Sequence, residues 1–238
     1  LKKYKSMTDS FFHIAIDGPV AAGKGTISRL ASKKLQFLYV DTGAMYRMTA
    51  FLAHANKIPY SKENKIVELI KNSTMEMRNP TKDEQDGRLT TVFLDGEDVS
   101  WKIRTKEIGQ GASKVAILSE VRKILVKKQK IIAKNKNVIM EGRDITYKVL
   151  PKADLKIYLT AKTEERAKRR LLQFQQKGFS TSLEEVISSV KRRDTRDMGR
   201  ATDPLKIVPD AWEIDTSDMD IEEVVDLIIE RVNKMRAK

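Results

Sequence analysis

The sequence predicts an α/β protein built on a five-stranded parallel sheet with helices on both faces. Five short apolar segments alternate along the chain with helical patterns, which is typical of strands joined by helical crossovers. A glycine-rich loop joins the first strand to the first helix. A stretch near the middle of the chain breaks the alternation, and its turn signal indicates a small antiparallel insert.

The first half of the sheet is predicted from a βαβα opening. The first strand is expected at Phe11 to Ile16, a short apolar run that stops at turn residues. A helix is expected to begin at Lys24, followed by a strand at Phe37 to Val40 and a helix at Ala44 to Ala55.

Three more strands are predicted later in the chain, each next to a helical pattern: Asn137 to Met140, Leu155 to Leu159 and Trp212 to Asp215. A helix predicted at Glu164 to Lys177 is acidic at its start and closed by Gly178. Two further helices are expected to begin at capping boxes, at 182–185 and 220–223.

The stretch that breaks the alternation predicts a β-hairpin. Leu89 to Leu94 and Val99 to Ile103 flank the turn signal Asp95-Gly96-Glu97-Asp98. We therefore expect a small antiparallel insert at about 75–103. The chain from 11 to 238 is expected to form a single unit, with an N-terminal extension at 1–10.

Composition excludes several kinds of chemistry. The chain has no Cys and two His, so disulfides, thiolate metal sites and Cys nucleophiles are excluded, and a multi-histidine metal site is not expected. No apolar stretch approaches the roughly 18 residues of a membrane span, so we expect a cytoplasmic protein with no membrane partner. The net charge of +13 predicts an anionic partner, either a nucleic acid, a membrane surface or a phosphorylated small molecule.

The glycine-rich loop has the position and composition of a Walker A phosphate-binding loop, or P-loop. Its backbone N–H groups can converge on phosphate oxygens, and the following helix adds its positive dipole end. Lys24 is expected to bridge the β- and γ-phosphates of ATP. Mg²⁺ is expected on the phosphates, water and Thr26 or the backbone near Gly25, with no protein cluster of metal ligands. The predicted cofactor-binding residues are Gly18, Pro19, Val20, Ala21, Ala22, Gly23, Lys24, Gly25 and Thr26.

Two motifs lie where later strands are expected to end. The motif from Asp41 to Arg47 places a Thr-Gly cap at a strand-to-helix junction, which can hold a second anion or be an ordinary capped helix. Glu141-Gly142-Arg143-Asp144 follows the third parallel strand, where open α/β sheets bind ligands. Its Arg-Asp pair can be a structural ion pair, or it can offer a phosphate donor and an acceptor for the N4 amino group of cytosine.

An arginine-rich segment follows the helix that begins at 182–185. Arg193, Asp197 and Arg200 fall on one helical face if that helix persists. One interpretation is a solvated helix with local Asp-Arg pairs, but next to a P-loop we favour a mobile lid that closes over the nucleotides, with hinges at 178–182 and 199–204. Guanidiniums on the preceding helix also outnumber nearby carboxylates, which predicts an anion there: Arg166, Arg169 and Arg170.

The P-loop ends in Gly-Lys-Gly-Thr, which resembles nucleoside monophosphate kinases, and the full set of motifs resembles bacterial cytidylate kinases. The resemblance extends from Phe12 to the C-terminal helix. It implies a P-loop NTPase fold, ATP as phosphoryl donor and CMP or dCMP as acceptor, with an acceptor-binding region at 43–113 and a lid region at 164–203. We expect a monomer with no nucleic-acid partner. The motifs that carry the resemblance are Asp41-Thr42-Gly43-Ala44-Met45-Tyr46-Arg47, Glu141-Gly142-Arg143-Asp144-Ile145, Gly96-Glu97-Asp98-Val99-Ser100 and the late Arg-Asp-x-Arg-Asp run.

The resemblance also implies residue roles. Thr42, Arg47 and Arg143 would hold the acceptor phosphate next to Asp41. Ser113, Arg122 and Asp144 would read the cytosine. Arg193 and Asp197 would fix the ribose, and Arg200 would reach phosphate. The catalytic set is expected to be Lys24, Arg143, Arg193 and Arg200.

Two features of the sequence stand apart from this assignment. From the residues alone, the stretch that carries Ser113 and Arg122 would be interpreted as a solvated basic helix. Members of the family often continue Gly-Arg-Asp with a hydrophobic residue and Gly-Thr, whereas this chain has Ile145-Thr146-Tyr147. A different turn is therefore expected after Asp144.

Two alternative functions remain at this point. One is a P-loop kinase of another metabolite, such as UMP or dephospho-coenzyme A, although the motifs at 41–47 and 142–144 favour cytidylate. The other is a basic nucleic-acid-binding protein. Few aromatic residues are interleaved with Lys and Arg as a stacking surface would need, which opposes the second alternative.

Overall fold

A computed structural model describes residues 11–176 and 178–237 of the chain. The predicted N-terminal extension at 1–10 and the predicted helix end at Lys177 lie outside these residues. The strands are β1 (His13–Asp17), β2 (Leu38–Asp41), β3 (Met75–Arg78), β4 (Thr91–Leu94), β5 (Glu97–Asp98), β6 (Val138–Gly142), β7 (Leu155–Thr160) and β8 (Trp212–Asp215).

The α-helices are α1 (Lys24–Leu35), α2 (Thr42–Ala55), α3 (Glu63–Asn72), α4 (Lys106–Val115), α5 (Ser119–Ala133), α6 (Thr163–Gln175), α7 (Leu183–Gly199) and α8 (Ile221–Arg236). The capping boxes predicted for α7 and α8 are confirmed at Ser182 and Asp220. Helix α2 begins two residues earlier than expected, because the Asp41 carboxylate accepts a hydrogen bond from the Ala44 N–H at 3.1 Å. In the described part of the chain, no helix is long and apolar enough to cross a membrane.

The predicted five-stranded parallel sheet is confirmed, in the order β2-β6-β1-β7-β8. Side chains alternate between its two faces, so that Ala15 on β1 packs into one core and Ile14 and Ile16 pack into the other. Helices α2 and α5 contribute to the first core, and α1 and α8 to the second. Both faces are therefore covered, which explains the nearly continuous apolar strands.

The antiparallel insert is confirmed as the sheet β3-β4-β5, but its last strand was predicted wrongly. The partner of β4 is Glu97–Asp98 rather than Val99 to Ile103. Asp95 and Gly96 have φ angles of 52° and 82°, which fit a tight two-residue hairpin turn and shift the pairing towards the turn. The Ser100 hydroxyl then accepts the Val92 N–H at 2.9 Å, and the chain bends into a short 3₁₀ turn at Lys102–Arg104.

Candidate active site

A cavity of about 330 Å³ opens beyond the carboxyl ends of β1, β2 and β6, where parallel sheets bind ligands. All the predicted substrate-binding residues line it, as does most of the P-loop. Gly18, Pro19 and Ala22 belong to the loop without lining the cavity. Nine basic and four acidic side chains form much of the wall, an excess that favours an anionic ligand: Lys24, Arg47, Arg104, Arg122, Arg143, Arg170, Arg193, Arg196 and Arg200 against Asp41, Glu141, Asp144 and Asp197.

The P-loop is shaped by its backbone. Ala21 and Gly23 have left-handed φ angles of 60° and 86°, and such residues turn successive N–H groups towards a common point, where an anion can bind. Gly18 is required by a close approach, because a Cβ on it would lie 2.0 Å from the carbonyl oxygen of Leu159 on β7. The loop can therefore bind phosphate mainly through main-chain atoms.

Lys24 begins α1 and is only 5% exposed. Its Nζ donates a hydrogen bond to the carbonyl oxygen of Pro19 at 2.7 Å, within the same loop. Burial lowers the pKa of Lys24, and the positive charge of Arg143 lowers it further. Phosphate oxygens at this position would stabilise the charged ammonium. We therefore expect the site to bind strongly anionic ligands most tightly.

A partly buried carboxylate lies next to the P-loop. Glu141 at the end of β6 accepts a hydrogen bond from the Tyr39 hydroxyl at 2.8 Å, and burial together with the charge of Asp41 raises the pKa of Glu141. A Cβ on Gly25 would lie 3.1 Å from Glu141 Oε1 and 3.4 Å from Tyr39 Oη. The extra glycine after Lys24 therefore leaves room for this pair. Glu141 belongs to the motif predicted at the end of β6, whereas Tyr39 was not singled out from the sequence.

The residues predicted for the acceptor phosphate lie at the start of α2 and in the segments that face it. The Thr42 hydroxyl donates to the Glu141 carbonyl at 2.7 Å, and Arg47 Nη1 donates to the Ile103 carbonyl at 3.2 Å. Asp41 Oδ2 lies 3.4 Å from Arg104 Nη2. Arg104 was missed from the sequence, because it follows the insert in an irregular segment with no motif of its own.

Helix α7 meets the end of β6 through an ion pair. Arg143 Nε donates to Asp197 Oδ2 at 2.7 Å, and Arg193 Nε lies 4.0 Å from the same oxygen. Burial and the neighbouring charge of Arg143 lower the pKa of Arg193 to about 10. Two guanidiniums thus share one carboxylate at the centre of the cavity, which leaves positive charge available for a ligand.

The far end of the cavity is closed by a buried ion pair. Arg122 on α5 is 1% exposed and Asp144 is 6% exposed, and Arg122 Nη2 donates to Asp144 Oδ2 at 2.5 Å. Burial raises the pKa of Asp144, although Arg122 opposes the effect. The interpretation of this stretch as a solvated basic helix is therefore wrong at Arg122, which the packing of α5 turns inward. Ser113 lines the cavity from α4, with its hydroxyl 3.4 Å from the Gly109 carbonyl.

The turn after Asp144 is a π-helical turn at Ile145–Val149. Asp17 at the end of β1 accepts hydrogen bonds from the N–H groups of Ile145 and Thr146, both at 2.9 Å. The Thr146 hydroxyl donates a further one at 2.7 Å, which a glycine at this position could not supply. The unusual residues after Asp144 thus tie its turn to the central strand.

The three arginines of α6 that were predicted to bind an anion have different partners. Arg166 is buried and bridges the Val20 carbonyl at 3.2 Å and Asp194 at 2.6 Å. Arg169 donates to the Thr216 hydroxyl at 2.9 Å. Protein groups therefore engage Arg166 and Arg169, whereas Arg170 lines the cavity, and an anion at the three arginines stays a prediction.

Arg200 lies at the Asp144 end of the cavity, with Nη2 3.8 Å from Asp144 Oδ1. Among the described residues this buried Nη2 has no hydrogen-bond partner, so it is a donor available to a ligand. The described residues hold no group of three or more His, Asp or Glu side chains that could bind a metal. The oxygen-bearing side chains that line the cavity include Thr26, Asp41 and Glu141.

Comparison with known proteins adds three findings. The family model described as cytidylate kinase matches residues 14–234. Cytidylate kinases of Caldicellulosiruptor bescii and Caldanaerobacter subterraneus subsp. tengcongensis are 45% and 47% identical to this chain, covering 94% and 93% of it and 96% and 94% of their own lengths. The crystal structure of an uncharacterized protein from Eubacterium ventriosum has a TM-score of 0.50 at 10% identity, covering 93% of this chain and 98% of that one, and shows a similar fold.

Proposed function

The chain belongs to the cytidylate kinase family, and we propose that its cavity transfers the γ-phosphoryl group of ATP to CMP or dCMP. The products are ADP and CDP or dCDP. The observation that carries the proposal is a buried carboxylate, Asp144, at one end of a strongly basic cavity whose other end is a P-loop. This arrangement suits a substrate with an amino-bearing base and a phosphate that faces ATP.

The donor half acts by charge and position. The N–H groups of the P-loop bind the β- and γ-phosphates. Lys24 stabilises the negative charge that develops on the leaving ADP during transfer. Mg²⁺ neutralises part of that charge when it is bound. Thr26, which lines the cavity, would offer Mg²⁺ a hard oxygen ligand of the kind that it prefers, beside the phosphates.

The acceptor half fixes CMP in line with the transferred group. Thr42, Arg47 and Arg143 hold the acceptor phosphate, and Arg193 with Asp197 binds the ribose. An oxygen of that phosphate attacks the γ-phosphorus and forms the new P–O bond, while the bond from the γ-phosphorus to the β,γ-bridging oxygen breaks and ADP leaves. No general base is needed, because the acceptor phosphate is already anionic.

Base selection depends on Asp144. Arg122 occupies Asp144 Oδ2, so Oδ1 is the acceptor that can face a base, with Ser113 and Arg200 nearby. An ionised carboxylate accepts hydrogen bonds only, which suits the N4 amino group of cytosine and opposes the O4 carbonyl of uracil.

Several wider expectations stay predictions. They are the acceptor-binding region at 43–113, closure of the lid region at 164–203 about the two hinges, a monomeric state, and a cytoplasmic protein without nucleic-acid partners. Arg166 supports lid closure over ATP, because it connects the P-loop at Val20 to α7 at Asp194. Identical lid positions in crystals of the free and doubly liganded protein would contradict the closure.

The test is ADP production from ATP and Mg²⁺ with CMP, dCMP, UMP and AMP in turn. Wild type, Asp144→Ala and Asp144→Asn are compared, since the Asn variant keeps the shape of the side chain if Ala disturbs folding. Asp210→Asn is the control, because the exposed Asp210 pairs with Lys156 at 2.7 Å outside the cavity. We expect wild type and Asp210→Asn to release ADP rapidly with CMP and dCMP. Both Asp144 variants should lose most of this activity.

A wild-type protein that turns over UMP or AMP as well as CMP would contradict the assignment of Asp144 to the base. If no nucleotide stimulates ADP release, the CMP acceptor is wrong.

A further inference from the structure

Asp203 lies just beyond the end of α7 and joins several charged groups. Arg122 Nε donates to Asp203 Oδ2 at 3.3 Å, and Lys148 Nζ lies 3.1 Å from Asp203 Oδ1. Its main-chain carbonyl accepts a hydrogen bond from Arg200 Nε at 2.6 Å. Asp203 and these three partners, which we call the Asp203 cluster, connect the lid region to the end of the cavity formed by Arg122, Asp144 and Arg200, which we call the base end.

The segment around Asp203 is also attached to the turn that follows Asp144. The Tyr147 hydroxyl donates to the Pro204 carbonyl at 2.5 Å, and Lys206 Nζ lies 4.4 Å from the centre of the Tyr147 ring. Tyr147 is one of the two residues, with Thr146, at which this chain departs from the usual Gly-Thr of bacterial cytidylate kinases, and Lys148 follows it directly. The unusual turn therefore has a tertiary contact that holds the end of the lid region against it.

Arg122 is the link between Asp203 and Asp144. Its guanidinium is held on three sides, by Asp144 at 2.5 Å, by the Ala116 carbonyl at 3.3 Å and by Asp203. The planar guanidinium allows these bonds only in one orientation. Removal of the Asp203 carboxylate frees one side and lets the guanidinium rotate together with the Asp144 oxygen that it holds.

The balance of charge around Asp144 and Asp203 also links the two side chains. Arg122, Arg200 and Lys148 face the two carboxylates of Asp144 and Asp203 in this part of the molecule. Burial works to raise the pKa of Asp203, but Lys148 and Arg122 lower it overall, so the side chain is ionised at neutral pH. Without it, Lys148 loses its carboxylate, Asp144 alone faces Arg122 and Arg200, and Arg200 is free to compete for the oxygen that should meet the base.

We infer that Asp203 is a positioning residue for base selection: through Arg122 it keeps the Asp144 carboxylate aligned with the base amino group, and it couples this alignment to the lid region. The inference rests on the proposed function. Asp203 does not line the cavity, so it is expected to contact neither the base nor the phosphates. Its loss weakens recognition of an amino-bearing pyrimidine rather than phosphoryl transfer itself.

Two variants of Asp203 separate this role from folding. The residue has a left-handed φ of 48°, a conformation that Asn and Gly adopt more easily than other residues. Asp203→Asn removes the charge and keeps the shape, and Asp203→Gly removes the side chain without backbone strain. Asp210→Asn on the same connecting segment is the matched control, because it removes a carboxylate that pairs with a lysine outside the cavity.

Steady-state kinetics with CMP and UMP, at saturating ATP, tests the inference. We expect both Asp203 variants to raise KM for CMP about tenfold, equivalent to about 1.4 kcal/mol, and to reduce the preference in kcat/KM for CMP over UMP by a similar factor. KM for ATP should stay within about twofold of wild type. Asp210→Asn should match wild type in all three quantities.

Other outcomes overturn the inference. A wild-type preference for CMP in both Asp203 variants excludes the positioning role. An equal loss with CMP, UMP and ATP indicates a structural role only. If wild type releases no ADP with CMP, the proposed function fails instead, and calorimetric affinities of the same variants for CMP and UMP still decide whether Asp203 governs base selection.

Discussion

The two ends of the cavity are built in different ways. The phosphate end is a single continuous segment, 18–26, whose shape comes from left-handed backbone at Ala21 and Gly23 and from the approach of Gly18 to β7. The base end has no continuous segment. It is assembled from α5, the turn after β6 and the chain after α7, which are joined by ion pairs of Arg122 with Asp144 and Asp203.

This difference has consequences for robustness and selectivity. A backbone site keeps its donors whichever side chains surround it, so it can bind the phosphates that all ATP-dependent kinases share. Buried ion pairs are stable only while every charge is matched, because an unpaired buried charge loses its hydration without compensation. The base end is therefore expected to be more sensitive to single substitutions, which suits the base selection that we propose for it.

The largest expected effect is at the phosphate end. Lys24→Met should lower kcat about 10³-fold, since the ammonium stabilises charge that develops during transfer. The loss should be equal for CMP and dCMP, and thermal stability should change little because a buried charge is replaced by an apolar chain of similar length. ADP release and thermal unfolding measure both. A loss confined to one acceptor would show that the two ends are not separable.

The next largest effect is at the base end. Arg122→Met should destabilise the fold by about 3 kcal/mol, because it leaves two carboxylates without their shared buried cation. It should raise KM for CMP and leave KM for ATP unchanged. Urea unfolding and kinetics are compared with Lys123→Met, a neighbour on α5 whose side chain is 65% exposed and whose loss should change neither quantity. Equal effects of both variants would contradict a buried ion-pair network.

A substitution at Gly18 tests the backbone origin of the P-loop. Gly18→Ala should destabilise the protein by about 2–3 kcal/mol, since its Cβ would collide with the Leu159 carbonyl. Gly87→Ala is the control: Gly87 has a φ of 89°, but no atom lies within 4 Å of the position that its Cβ would take, so only backbone strain of about 1 kcal/mol is expected. Chemical denaturation measures both, and equal values would show that the contact with β7 is unimportant.

The pH dependence of selectivity should come from the base end. Burial raises the pKa of Asp144, so the carboxylate takes up a proton at a higher pH than the ordinary value of about 3.9. As pH falls, the preference for CMP over UMP should decline because a protonated Asp144 is a poorer acceptor. The stability that Asp144 contributes should instead rise, since the folded state binds the proton more tightly than the unfolded state.

The ratio of kcat/KM for the two acceptors between about pH 7.5 and about pH 5, in wild type and Asp144→Asn, provides the measurement. A pH-dependent ratio that persists in the Asn variant would assign the effect to another group.

The smallest effect is expected at an exposed ion pair. Lys34 lies 2.8 Å from Asp226 and 3.2 Å from Glu222 between α1 and α8, with 45% of its side chain exposed. Water screens such pairs, so Lys34→Gln should leave the unfolding midpoint and kcat within experimental error of wild type. A clear destabilisation would mean that short distance, rather than burial, decides the strength of ion pairs in this protein.

Features that depend on neighbouring residues could be predicted from the sequence, whereas features assembled from distant segments could not. The P-loop, the parallel strands and the caps at Ser182 and Asp220 were predicted correctly, because each depends on neighbouring residues. The hairpin partner of β4 was misplaced, since tight and wider turns share the same residues at Asp95 and Gly96.

By itself, the sequence determined the fold class, the P-loop and the motifs by which the family was recognised. These features depend on residue types and spacing along the chain. Only the tertiary structure decided which charges meet. Arg122 pairs with Asp144 and Asp203, 22 and 81 residues away, and Arg143 pairs with Asp197, 54 residues away. The packing of α5, β6 and α7 sets these distances, and an arginine turned inward has the same helical pattern as one that faces water.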